Sequence, residues 1–133
     1  MSTLKTTLTG YLGYRGRTGH WSFLLHRITG LGTLLFLAIH ILDTAMVHFN
    51  PTLYMEVIGI YRTTLVGIME IGLVFCVLFH GMNGLRIAIF DLFAPRNWTI
   101  PSQQKITLWT LAATLVIWIP AVVIMVGHML AGG

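Results

Sequence analysis

The sequence has few charged residues. They make up 9% of its 133 residues, whereas a soluble domain averages about 25%. With 56% hydrophobic residues, such a chain cannot enclose a soluble core and still present a wetted surface. Its eight Lys and Arg against four Asp and Glu are too scattered to form the basic stripe of a nucleic-acid-binding protein. We therefore expect an integral membrane protein surrounded by lipid, with no nucleic-acid partner.

Cysteine is almost absent as well. The single Cys76 lies within an apolar run, which excludes a disulfide within the chain and a cysteine-based metal site. We interpret it as a buried packing residue. The first residues lack the apolar segment of a secretory signal, so we expect residues 1–21 to form a retained, loop-like arm on the cytoplasmic side.

Three long apolar segments follow the arm. A helix needs about 20 apolar residues to cross the hydrocarbon layer, and only helices or closed barrels cross it with their backbone groups satisfied. Turn signals at Asn50-Pro51 and Ala94-Pro95 separate the segments, and Pro120 is expected to kink the third. We predict an all-α membrane protein with one domain, residues 1–133, and transmembrane helices at residues 22–49, 64–92 and 106–130.

The flanking cations predict the orientation, because Lys and Arg are retained on the cytoplasmic side. The first connection carries only Arg62, which places it outside. The cations assigned to the cytoplasmic side are Lys5, Arg15, Arg17, Arg86, Arg96 and Lys105. We predict a multi-pass protein with a cytoplasmic N-terminus and an outer C-terminus.

Ionisable side chains inside the spans are costly in hydrocarbon and usually face a partner or a cofactor. They are His26, Arg27, His40, Asp43, Glu70, His80, Arg86 and Asp91. Helical spacing places His26, Gly30 and His40 on one face of the first helix, and His80 and Gly84 on one face of the second. A flat macrocycle can pack beside such glycines, and imidazole is a common axial ligand of haem iron.

The same spacing has two other interpretations. Small residues also let membrane helices approach one another without a cofactor. A membrane histidine can instead relay protons or hydrogen-bond to a neighbouring helix. Spacing alone leaves these alternatives open.

Two motifs resemble those of the cytochrome b membrane-anchor subunit of succinate:quinone oxidoreductase. The segment S-F-L-L-H-R-I-T-G, residues 22–30, is similar to the start of that family's first helix. The pattern H-x-x-x-G-x-R-x-x-x-x-D, residues 80–91, is similar to its haem-ligand motif on the second helix. The motifs occur in the expected order, and the likeness extends over all three spans.

The resemblance implies an electron-transfer subunit of succinate dehydrogenase, respiratory complex II of the tricarboxylic acid cycle, in the plasma membrane. There a flavoprotein subunit oxidises succinate, and an iron–sulfur subunit passes electrons to two membrane anchors. This chain is then one anchor, not catalytic on its own, and forms half of a haem-binding helical bundle with its companion. A fumarate reductase subunit, a haem-free structural anchor and a small proton-coupled transporter are the alternatives.

The family pattern also implies roles for residues of the two motifs. His80 is expected to bind the iron of a b-type haem, with the opposite ligand from the companion anchor. Gly30 and Gly84 leave space beside the macrocycle. His26 and Arg27 are expected near the haem propionates, where a cation suits the carboxylates.

Ser22 and Arg27 are expected to border a quinone site that faces the iron–sulfur subunit. Ser22 precedes Arg27 by five residues, whereas single-haem relatives have their serine four residues before the arginine. Arg86 lies about 120° from the His80 face. It is expected either to reach toward the interface or to bind a propionate across the bundle.

His40 points to a second haem, because it lies at a different depth from His80. At about 1.5 Å per residue, His40 lies roughly 27 Å from Ser22, while His80 lies roughly 16 Å from Asp91. This resembles the two-haem anchors, in which the quinone is usually menaquinone and is reduced near the outer haem. We expect His80 to bind a proximal haem and His40 a distal one. A hydrogen bond from His40 to Asp43 or to a neighbouring helix is the alternative.

The other polar residues have weaker interpretations. Glu70 either transfers protons to a distal quinone or pairs with Arg62. His48 and His128 are expected at the headgroup level, and His20 in the arm.

Overall fold

The computed structural model describes residue 10, residues 18–95 and residues 99–131. Most of the arm predicted at residues 1–21 lies outside the described residues. Of the cations that predict the orientation, four also lie outside them: Lys5, Arg15, Arg17 and Arg96.

Within the described residues the chain forms four helices and no strand. They are α1 (Thr18–Phe49), α2 (Pro51–Tyr61), α3 (Thr64–Phe93) and α4 (Ile100–Leu130). The helices α1, α3 and α4 are long and apolar enough to cross a membrane. With 30 to 32 residues each, they extend about 45 Å, the thickness of a bilayer with its headgroups. The predicted all-α fold with three membrane helices is confirmed.

Two of these helices begin earlier than the sequence indicates. The helix α1 begins at Thr18 rather than at residue 22, and α4 begins at Ile100 rather than at residue 106. Pro101 lies in the first turn of α4, where proline is tolerated because its missing N–H has no helical partner. Pro120 lies inside α4, which continues on both sides of it to Leu130.

The helix α2 occupies the connection for which the sequence indicates only a turn. Asn50 caps it, because its side-chain oxygen accepts a hydrogen bond from the Leu53 N–H at 3.1 Å. Pro51 then fills the first turn. At the other end the Tyr61 hydroxyl donates to the Asp43 carboxylate of α1. Asn50 and Pro51, which indicate a turn in the sequence, thus begin a helix. The hydrogen bond from Tyr61 to Asp43 joins the other end of this helix to α1.

The long helices form an antiparallel bundle in which α3 packs between α1 and α4. Small residues let the backbones approach closely. A Cβ built on Gly32 of α1 would lie 3.1 Å from Cys76 Sγ of α3, and one on Gly67 of α3 would lie 2.9 Å from Met129 Sδ of α4. Cys76 therefore packs between helices, but it is only partly buried.

The buried interior is mainly polar. Among the described residues, Phe79 is the only buried hydrophobic side chain, whereas the buried polar ones are Ser22, Thr29, Asn83, Thr110 and Thr114. The buried threonines donate to carbonyls one turn earlier, as Thr114 does to Thr110 at 2.8 Å. The large apolar side chains mostly point outward. This is the pattern of a chain whose outer surface contacts lipid or other membrane helices.

Candidate functional site

The antiparallel packing of α1 and α3 brings His26 and His80 together. Their rings stack with centroids 4.2 Å apart and planes inclined by 8°. A hydrogen bond from Ser22 Oγ to Asn83 Oδ1, at 3.3 Å, joins the same two helices about one turn away. The sequence places each histidine on its own helix face, but their contact depends on how α1 and α3 align.

The His80 ring also makes a hydrogen bond to the backbone of α1. Its Nδ1 lies 3.1 Å from the carbonyl oxygen of His26. A carbonyl oxygen only accepts, so Nδ1 carries the proton in this bond, and Nε2 of the neutral ring has a free lone pair. Nε2 has no hydrogen-bond partner among the described residues. Metal-binding histidines usually have this arrangement, with one nitrogen bonded to a carbonyl and the other on the metal.

Gly30 is the residue of α1 that accommodates the His80 ring. A Cβ at Gly30 would lie 2.8 Å from His80 Cε1 and 3.0 Å from its Nδ1, which is closer than such contacts normally come. A Cβ at Gly84 would lie at an ordinary 3.7 Å from His26 Cε1, and one at Gly81 would meet nothing within 4 Å. The space predicted at Gly30 for a macrocycle is thus taken up by the edge of the His80 ring.

His26 has a buried nitrogen without a partner. Its Nδ1 is inaccessible to solvent and makes no hydrogen bond to any described residue. Buried polar atoms are nearly always hydrogen-bonded, so an unpaired one indicates a missing water, ion or ligand. Together with the available Nε2 of His80, this atom makes the histidine pair suited to a group from outside the chain.

Ser22 and Arg27, predicted to border one quinone site, do not lie together. Ser22 is buried and donates to Asn83. Arg27 is exposed, and its guanidinium carbon lies 4.6 Å from the centre of the Phe23 ring. Five residues along a helix correspond to about 140° of rotation, so the two side chains face different sides of α1.

Arg86 contacts α4 rather than the histidine pair. Its guanidinium donates to the Thr107 hydroxyl, and the side chain is partly buried. The two predicted roles of Arg86, reaching toward the interface and binding a propionate across the bundle, stay predictions. Sequence reasoning also missed Asn83, which is 1% exposed and bonded to Ser22. Its position three residues after His80, on the same helix face, was a signal that could have found it.

His40 lies far from the histidine pair. It is 14 residues after His26, or about 21 Å along α1. Its exposed ring stacks on Phe36, with centroids 5.5 Å apart and planes inclined by 19°. Asp43, the predicted alternative partner of His40, instead accepts a hydrogen bond from Tyr61. The His40 ring makes no hydrogen bond or ring contact with another described helix.

Glu70 lies on the same half of the bundle as His40. It is exposed, and no ion pair joins it to Arg62 within the described part of the chain. It is the one ionisable residue in the lining of an apolar cleft of about 440 Å³ that also includes Phe36 and Met125. A second apolar cleft of about 270 Å³ lies between α1 and α4, beside Trp21 and Thr107.

The remaining histidines lie near helix ends. His48 lies in the last turn of α1 and His128 in the last turn of α4, and both are exposed. His20 lies in the first turn of α1. In residues 18–95 and 99–131, no three His, Cys, Asp or Glu side chains cluster closely enough to hold a metal ion by themselves. A metal at the histidine pair would need a further ligand from outside these residues.

Comparison with known proteins points to one family. The model of the succinate dehydrogenase/fumarate reductase transmembrane subunit family matches residues 9–132. The chain is 40% identical, over 117 residues, to the succinate dehydrogenase 2 membrane subunit SdhC of Mycobacterium tuberculosis, covering 87% of this chain and 83% of that protein. It is 33% identical, over 79 residues, to the succinate dehydrogenase hydrophobic membrane anchor subunit of Halobacterium salinarum, covering 56% of this chain and 58% of that protein.

Proposed function

The chain belongs to the family of succinate dehydrogenase/fumarate reductase transmembrane subunits, and we propose that it transfers electrons from an iron–sulfur subunit through haem b to a quinone. It is a multi-pass membrane subunit of an oxidoreductase complex. Its partners in the proposal are a flavoprotein subunit, the iron–sulfur subunit and a second membrane anchor.

The arrangement of His80 is the observation that carries this proposal. Its Nδ1 is bonded to the carbonyl oxygen of His26, while its Nε2 has no partner among the described residues. This is the state in which a histidine binds a metal. A bound haem supplies one-electron chemistry, because its iron alternates between the ferric and ferrous states.

Side chains of this subunit hold and orient the haem in the proposal. His80 would bind the haem iron, together with a ligand from the companion anchor. A propionate or a water that entered beside His26 would pair with its buried Nδ1. The exposed Arg27 offers its cation to a propionate carboxylate.

We place a second, distal haem at His40. The ring of His40 is exposed, and its predicted alternative partner Asp43 is bonded to Tyr61, so His40 is free to face the companion anchor. The cleft that contains Glu70 is mostly apolar, which suits the isoprenoid quinone expected here, menaquinone. A carboxylate at its edge is able to exchange protons with the quinone oxygens.

The stacked histidines also support one alternative. The ring stacking and the bond from His80 Nδ1 join α1 to α3 without any cofactor. A haem-free structural anchor would keep both contacts. The direction of turnover, succinate oxidation or fumarate reduction, is open within the same family.

Reduced-minus-oxidised visible spectra of the purified complex test the proposal. We expect the absorption bands of a b-type haem and, by pyridine haemochrome assay, two haems per complex. One haem per complex would remove the assignment of His40 and keep that of His80. A complex with all its subunits and no b-type signal would leave only the structural anchor.

The orientation is part of the same proposal. The N-terminus is assigned to the cytoplasm and the C-terminus to the outside of the plasma membrane. Single cysteines introduced at Thr63 and Thr99, in a Cys76→Ala background, test it with an impermeant thiol reagent on intact cells. We expect labelling at position 63 and none at position 99, and the opposite result would reverse the orientation.

A further inference from the structure

The contacts that restrain the His80 ring come from one short segment of α1. Its face stacks on His26, its Nδ1 bonds to the His26 carbonyl oxygen, and its edge lies against Gly30. We propose that this segment holds His80 in a single tautomer and ring orientation with Nε2 available to iron, and that His26 and Gly30 are its positioning residues. This inference rests on the proposed haem-binding function.

The hydrogen bond selects the tautomer. A neutral imidazole has one N–H, and the carbonyl oxygen of His26 requires it on Nδ1. A backbone carbonyl within α1 cannot turn away without disturbing the helix. The acceptor is therefore preorganised, and the lone pair of His80 stays on Nε2.

The stacked ring of His26 restrains rotation of the His80 ring. With centroids 4.2 Å apart and planes inclined by 8°, a turn of either ring about its own bond would bring ring edges into the face of the other. The hydrogen bond thus fixes the tautomer of His80, and the stacking fixes the rotation of its ring. The position of Nε2 follows from both.

Gly30 leaves room for the His80 ring because it has no side chain. A methyl group at residue 30 would meet Cε1 at 2.8 Å and Nδ1 at 3.0 Å. These atoms belong to a rigid ring, so the ring must rotate away from the His26 carbonyl or the helices must separate. Either change moves Nε2 of His80 from the position that the His26 carbonyl and ring define.

Glycine-to-alanine variants of the whole complex test the role of Gly30. In Gly30→Ala we expect haem affinity to fall about 10-fold or more, the usual cost of losing a residue that orients a metal ligand. Gly81→Ala adds the same methyl group next to His80 in the sequence but meets nothing within 4 Å, so its haem content should match the wild type. Gly32→Ala also adds a methyl to the contact between α1 and α3 but touches Cys76 Sγ instead, so it controls for general loosening of the helix pair.

The measurements are haem per complex, subunit stoichiometry and the electron paramagnetic resonance spectrum of the ferric haem. The g-values of that spectrum depend on the orientation of the axial imidazole. We expect Gly30→Ala to change them in whatever haem remains, with all subunits present. Wild-type haem content and g-values in Gly30→Ala would overturn the inference, and so would an equal loss of haem in Gly32→Ala.

A second pair of variants decides the matter if Gly30→Ala does not assemble. His26→Phe keeps a flat ring against His80 and the same backbone carbonyl, whereas His26→Ala keeps only the carbonyl. We expect shifted g-values in His26→Ala and values closer to the wild type in His26→Phe. Identical spectra in the two variants would remove the stacking role. A wild-type complex without haem would instead refute the proposed function, and the inference with it.

Discussion

At one end of the bundle His26 and His80 are stacked between two helices, whereas toward the other end His40 lies exposed on the surface of α1. We call the first region, the N-terminal half of α1 with the C-terminal half of α3, the paired half. We call the second, the C-terminal half of α1 with the N-terminal half of α3, the open half. The paired half contains a histidine whose tautomer and orientation are set within this chain. In the open half the exposed His40 ring stacks on Phe36 of its own helix.

The difference comes from small and polar residues in the paired half. Gly30 lets α1 approach His80 of α3, and the buried Ser22 bonds to Asn83. In the open half an added Cβ at Gly67 would lie 2.9 Å from Met129 Sδ of α4, whereas one at Gly72 would meet nothing within 4 Å, and Glu70 borders a cleft. Close packing of α1 on α3 thus accompanies the histidine pair, whereas a cleft lies beside Glu70 in the open half.

Replacing His80 should have the largest effect. In His80→Ala we expect loss of the proximal haem and of most electron transfer to quinone, because the residue proposed to bind the iron would be missing. The spectrum of the purified complex and succinate-dependent quinone reduction measure both. His128→Ala, which removes an exposed histidine at the end of α4, is the matched control. Unchanged haem content in His80→Ala would contradict the role of the paired half.

Replacing His40 should have a smaller effect that is confined to the open half. We expect His40→Ala to lose one haem of two and to keep the spectrum of the other. Because Gly30 and His26 lie about 15 to 21 Å away along α1, the g-values of the remaining haem should not change. If His40→Ala kept both haems, His40 would not be a haem ligand, and the open half of this chain would contain none.

Replacing Ser22 distinguishes a role in stability from a role in quinone binding. Ser22→Ala removes the hydrogen bond to Asn83 and leaves a buried amide oxygen unpaired, which costs about 1–3 kcal/mol. We expect a lower thermal unfolding temperature of the complex, with the KM for quinone near the wild-type value. A raised KM at unchanged stability would support the quinone site predicted from the sequence instead.

Replacing Tyr61 should have the smallest effect. Tyr61→Phe removes the hydroxyl that donates to Asp43, and a typical hydrogen bond contributes about 1 kcal/mol. We expect faster hydrogen exchange in α2 only, with haem content unchanged. Tyr54→Phe, in the same helix, is the control. Exchange that increases throughout α1 as well would mean that the two helices unfold as one unit.

Much of the fold could be predicted because hydrocarbon imposes strict demands on local sequence. A span must be long, apolar and helical, and these properties belong to single segments. The helix α2 was missed because Asn50 and Pro51 fit two structures equally well, a turn and the cap and first turn of a helix. The early start of α4 was missed for the same reason at Pro101.

The candidate site likewise has features that the sequence predicted and features that it did not. The motif at residues 80–91 singled out His80, and helical spacing placed Gly30 and His26 on one face. The ring stacking, the bond to the His26 carbonyl and the hydrogen bond from Ser22 to Asn83 were not predictable. Each joins residues more than 50 positions apart, and a shift of α1 against α3 by one turn would remove all three.

The sequence by itself determined a membrane protein of three spans with a histidine motif on the second, because hydropathy and helical periodicity are local properties of the chain. Only the tertiary structure decided which polar side chains meet. It turned Ser22 inward and Arg27 outward, placed Arg86 on Thr107, and seated His80 against Gly30 and His26. These contacts depend on the alignment of neighbouring helices, which arises from packing between segments distant in the chain.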